Sequence, residues 1–112
     1  MTAKPLNKET AKAIVEYLDN AFRQTLDTRT RVKALWAATG EISSEDAWAV
    51  KMTRIQGQAA YAAMVVIQEC GPGSDAIKAG LEAERDKSLS LSSEMESLIT
   101  AKVFNNVLGF ME

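Results

Sequence analysis

The chain has 112 residues and a mass of 12.2 kDa, which suits one domain, 1–112, and leaves no room for two. Apolar residues make up 46% and charged residues 25%, a composition unlike that of disordered chains. No histidine is present, which removes the usual general base, zinc ligand and pH switch, and Cys70 has no second cysteine to pair with.

The net charge is 13 − 15 = −2, too balanced to indicate a nucleic-acid binder. Residues 1–56 carry nine basic and seven acidic groups, and residues 57–112 carry four and eight. The N-terminus lacks an apolar stretch behind Lys4, so no signal peptide is expected. The longest apolar run, Ala59 to Ile67, falls well short of the roughly 20 residues that cross a bilayer. A cytoplasmic location without membrane contact is the expectation.

In chain order, Asn7 is placed to cap a helix beginning at Lys8, with Glu9 favourable in the first turn. Ile14, Leu18, Ala21 and Thr25 form a helical stripe, widened by Val15, Phe22 and Leu26, and the rhythm resumes at Val32, Leu35 and Trp36. Asp27, Thr28 and Thr30 weaken the helix between these stripes, which predicts a kink or short break near Asp27. The segment 8–39 therefore reads as one long helix or two nearly collinear ones, ended by Gly40.

Ser43 and Ser44 before Glu45 and Asp46 open the next helix. Its stripe is Trp48, Met52, Ile55, Ala59, Ala62 and Val66, and its middle is slim because of Gly57 and the surrounding alanines. Such a helix suits the centre of a bundle, where neighbours approach closely. Gly57 in particular should be crossed by another helix, since a mid-helix glycine otherwise costs about 1 kcal/mol against alanine. Cys70-Gly71-Pro72-Gly73 stops the helix.

Ser74 and Asp75 open the third segment, with Ile77 and Leu81 on one face. The stretch Lys87–Ser93 alternates with period two, but a lone strand would have no partner. Ser93 and Glu96 match a capping box, which predicts a helix from Glu94 to Gly109 with Met95, Leu98, Ile99, Val103 and Val107 inside. The fold class is all-α: a small antiparallel bundle of three long or four shorter helices, with short connections. Apolar residues on several faces, and Phe104, Leu108, Phe110 and Met111 crowding the C-terminus, predict a homo-oligomer.

The candidate site residues fall into two groups. Arg23, Arg29, Arg31 and Lys33 form the most basic cluster and could clamp an anionic ligand or a partner; the plainer reading is a solvated helix face paired with Asp19 and Asp27. Trp48, Met52, Tyr61, Phe104, Leu108 and Phe110 are the candidate interface, with Trp48 as a buried anchor. Trp36, Trp48 and Tyr61 could also stack a base, although core or interface packing explains them more simply. A helix-turn-helix over residues 29–57, with Lys51 and Arg54 as its basic residues, is rejected because Glu45 and Asp46 would face phosphates. Glu82, Glu84 and Asp86 are close in sequence, but two-residue spacing points Glu82 and Glu84 apart on a helix. No metal, cofactor or catalytic residue is expected, and an enzyme is not predicted.

The run Arg85-Asp86-Lys87-Ser88-Leu89-Ser90-Leu91-Ser92-Ser93-Glu94-Met95-Glu96, about a tenth of the chain, resembles a hairpin helix of the phage cyclic-oligonucleotide sponges. Glu94 stands where that helix has an aliphatic residue. The resemblance implies a helical oligomer that holds signalling nucleotides between subunits, with this run inside a helix. Two functional expectations follow. The first is a non-catalytic interaction protein of inhibitor or adaptor type, of phage origin, that binds a macromolecule. The alternative is a nucleotide sponge. The first predicts an extended apolar surface, the second a concave cationic site between helices.

Overall fold

The computed structural model describes residues 6–91 and 94–111, and 89% of these described residues are helical. Four helices follow one another: α1 (Lys8–Thr39), α2 (Ser44–Cys70), α3 (Ser74–Leu91) and α4 (Met95–Phe110). No strand occurs among the described residues. Asn7 caps α1 by accepting the Glu9 N–H at 2.8 Å, and Gly40 closes it at φ +73°, donating its N–H to the Trp36 carbonyl. That left-handed conformation is one that glycine adopts without steric cost. Ser43 caps α2 by accepting the Asp46 N–H at 3.1 Å.

The break anticipated near Asp27 does not form: α1 is a single helix of 32 residues. No proline or glycine interrupts it, and Thr25 turns its hydroxyl to the backbone rather than unwinding it. Its Oγ1 lies 3.1 Å from the Ala21 carbonyl and 2.6 Å from the Thr53 carbonyl of α2, so its one hydrogen can staple the two helices. Gly57 makes room for this staple. A Cβ built there would stand 2.7 Å from Thr25 Oγ1, so the close crossing expected at Gly57 is present.

Helix pairs of rising and falling number, Gln24 with Gln56 and Arg31 with Asp46, show that α1 and α2 run antiparallel. α2 is the central helix and packs on all three others. One buried cluster joins Ile14 and Leu18 of α1, Ala60 and Ala63 of α2, Ile77 and Leu81 of α3, and Phe104 and Val107 of α4. A second close approach sets Cys70 and Val66 against Gly80, which leaves the Cys70 thiol half-buried in packing. Tyr17 ties α1 to α4: Asn106 donates to its hydroxyl at 2.8 Å, and Phe110 packs against its ring at 5.8 Å.

Several boundaries and faces differ from expectation. α3 stays helical through Ser88 and Ser90 to Leu91, with Ile77 and Leu81 in the core and Leu89 exposed. Ser93 of the anticipated capping box lies outside the described residues, and Glu94 takes the N-cap position. α4 also continues one residue past Gly109. Its inner face is rotated from the one the spacing suggested. Ala101, Val103, Phe104, Val107 and Leu108 are buried, whereas Met95 and Leu98 are about half exposed.

The helices are unequal in length, and this shapes the molecule. At about 1.5 Å per residue, α1 spans about 48 Å while α4 spans about 24 Å. Past the first turn of α4, which reaches Trp48 and Met52, only α1 and α2 continue. The result measures 61 × 30 × 20 Å, with a radius of gyration of 16.2 Å. A compact domain of this size would be nearer about 13 Å. The protein is a four-helix body carrying a two-helix arm.

Candidate functional site

The arm cannot bury its own apolar residues. Two helices meet along one seam, and between residues 26 and 50 only Val32 is buried. Leu26 is 62% exposed and Trp36 57%, with Leu35 and Ile42 also open to solvent. The stripe Val32–Leu35–Trp36, read as core, therefore supplies one core residue.

One side of the α1–α2 hairpin forms a groove. Arg29, Val32, Lys33, Ile42, Ala47 and Val50 line a depression of about 330 Å3 towards the tip. It adjoins a second of about 470 Å3, lined by Phe22, Leu26, Arg29, Arg54, Gln58 and Tyr61. Arg29 borders both, so the two form one continuous surface. Helical spacing explains why these residues share a face: Phe22, Leu26, Arg29 and Lys33 follow at four, three and four on α1, and Arg54, Gln58 and Tyr61 at four and three on α2. α4 seats on the opposite side of the hairpin, against Tyr17, Met52 and Gln56. This groove is consequently uncovered.

Its electrostatics are one-sided. No Asp or Glu lines either depression, and Arg29, Lys33 and Arg54 make no ion pair among the described residues. The four-residue basic cluster is thus divided by the helix. Arg23 pairs with Asp19 at 3.1 Å, as an ordinary surface pair one turn apart. Arg31 turns to the far side of α1 and donates to Asp46 Oδ1 at 3.0 Å, tying the arm near its tip. That guanidinium, with the Ser43 hydroxyl, holds the Asp46 carboxyl below the usual carboxylate range. Arg29 and Lys33 alone remain together in the groove. Arg54 joins them from α2; the sequence showed it only as a basic residue of the rejected helix-turn-helix, since its register against Arg29 depends on the crossing at Gly57.

The candidate interface residues also separate. Phe104 and Leu108 lie in the chain's own core at 1% and 5% exposure, so neither can meet a second chain. Phe104 is the largest fully buried side chain, where α4 closes on Ile14 and Leu18. Met52 is half-buried between α2 and α4. Trp48 is half exposed rather than a buried anchor, beside Met95 at the opening of α4. Tyr61 is 65% exposed and stands in the groove, and Phe110 is partly exposed over Tyr17. Among the described residues no group of three or more His, Cys, Asp or Glu is arranged to hold a metal ion, and no helix is long and apolar enough to cross a membrane.

Comparison with protein-family models, with curated proteins and with solved structures gave no match. The groove's chemistry is what bears on function.

Proposed function

We propose that this chain is a non-catalytic interaction protein that binds another protein through the uncovered face of the α1–α2 hairpin, as an adaptor or inhibitor would. The observation that carries this reading is the conjunction of exposed Leu26, Ile42 and Tyr61 with Arg29, Lys33 and Arg54 on one surface that no described residue covers. Contiguous apolar surface with polar edges is characteristic of binding faces, and aromatic and arginine residues are the commonest energetic centres of such interfaces. The face offers apolar walls, cations and one phenol, which hold a surface but do not assemble a nucleophile with a base.

The second reading is a small anionic ligand such as a nucleotide, favoured by Phe22 and Tyr61 standing beside Arg29 and Arg54. An open groove covers such a ligand on one side only, whereas small-molecule sites typically bury about 70–90% of the ligand surface. The protein-binding reading fits the shape better.

Photo-cross-linking in the native host tests it, with the reactive residue at Leu26 or Tyr61 and a control at exposed Lys78 on α3. The expected result is an adduct with another protein from both groove positions and none from the control. Adducts of twice the 12.2 kDa chain alone, or none, would count against it. A nucleotide retained by the purified chain in native mass spectrometry would favour the second reading.

A further inference from the structure

We infer that the partner element is an amphipathic α-helix whose apolar stripe is bordered by Asp and Glu. This rests on the protein-binding reading above and narrows it to one occupant. Three observations converge.

The first is shape. The groove is the furrow between two antiparallel helices, from Phe22 to Lys33 along α1, about 16 Å of helix axis. Furrows between helices are filled by the side-chain ridge of a third helix, as α4 packs on α1 and α2 through Val103, Phe104 and Val107. An extended strand would find no sheet edge to pair with, because α1 and α2 form both walls.

The second is charge. The floor and walls are apolar, at Phe22, Leu26, Val32 and Val50, while Arg29, Lys33 and Arg54 stand among them without acidic neighbours in the lining. A helix inserting an apolar ridge brings its flanking positions to these cations. Acidic flanks would satisfy all three, and basic flanks would be repelled.

The third concerns a second copy, the obvious rival. A two-fold contact through this face would set each chain's Arg29, Lys33 and Arg54 against the same cations of its twin, with no acid in the lining to answer them. Self-pairing here therefore brings two sets of unanswered cations into one interface. A partner of opposite sign does not.

Two synthetic helical peptides of about 18 residues test the inference, with one leucine stripe in common and either Glu or Lys at the flanking positions. Fluorescence anisotropy should show the Glu-flanked peptide binding at least about tenfold tighter, with the difference shrinking as salt rises from about 0.05 to 0.5 M. The double variant Arg29→Glu with Lys33→Glu should invert the preference. Both side chains are exposed, so its helical content and unfolding midpoint should match the parent; Arg54→Glu provides an independent variant with the same expected direction. Amide shifts on binding should map to residues 22–33, 42–50 and 54–61. Equal affinity for the two peptides, failure of the inversion, shifts centred elsewhere, or a peptide-free dimer that buries Tyr61 would each overturn the inference. Cross-links from Leu26 and Tyr61 to another protein, without any acidic preference, would leave the broader reading standing and remove this one.

Discussion

The body and the arm use similar sequences to opposite ends. In the body, Leu18 and Ile14 meet alanines of α2 and aromatic and aliphatic residues of α4, and all are buried. In the arm, Leu26 and Trp36 continue on the same helix with comparable hydrophobicity and remain in solvent. Trp36 shares the helical stripe of Leu18 and lacks a further helix alongside, whereas Leu26 lies on the groove face, where Val15 of the body is exposed as well. Two helices bury one seam, and a third layer is needed before the flanking positions become core. The arm is thus half of a helical bundle, held together by the Thr25 staple, the Gln24–Gln56 bond, the Arg31–Asp46 pair and Val32.

That contrast is sharpest for truncations. Phe104→Ala should cost about 3–5 kcal/mol in urea unfolding, enough to compromise a domain of ordinary stability. Trp36→Ala removes a larger side chain from the arm and should shift stability by no more than about 0.5 kcal/mol. Equal losses for the two would show that the arm is packed in solution by something the single chain does not provide.

The junction between body and arm comes next in size. Gly57→Leu should destabilise by about 2–3 kcal/mol, because the side chain enters the space of the Thr25 hydroxyl. Gly57→Ala with Thr25→Ala should be more stable than the sum of the single effects by at least about 0.5 kcal/mol, since the second change removes the clash created by the first. An additive cycle would mean that the helices do not cross at this point.

Smaller effects belong to the arm alone. Ser43→Ala should cost about 1 kcal/mol through loss of the α2 cap, and amide exchange should locate that loss near residues 43–50 before any change in the body. The Arg31–Asp46 pair should matter least, since Arg31 is half exposed to solvent. Asp46 has its folded pKa depressed by Arg31, so its contribution is present above the ordinary carboxylate value and is lost as pH falls through the lowered one. Parent and Asp46→Asn should accordingly differ slightly near neutral pH and converge on acidification. A difference that grows in acid would contradict the assigned pair.

Much of the fold was legible because its signals are local. Asn7, Gly40, Ser43 and the Gly71–Gly73 stop each act on backbone within a few residues, and the helices begin and end where these residues dictate. Gly57 was legible for a related reason, since a costly residue amid good helix formers implies a compensating contact. The continuity of α1 was not. Two threonines weaken an isolated helix, but the Thr25 hydroxyl finds the Thr53 carbonyl, which lies 28 residues away in the chain. The candidate site was legible only in part. Helical spacing alone divides Arg29 and Lys33 from Arg31, yet it says nothing of Arg54, which reaches the same groove from another helix.

The sequence by itself determined an all-α bundle, the caps at Asn7, Gly40 and Ser43 and the slim central helix, because capping chemistry and helical periodicity are short-range properties. Tertiary structure decided which apolar residues became core. Phe104 and Leu108 went inside because α4 lies against α1 and α2 there, while Leu26 and Tyr61 stayed outside because no helix lies over that side of the hairpin. Periodicity identifies a face that can be buried. Burial itself depends on what the rest of the chain brings to it, and over this face of the arm no described helix lies.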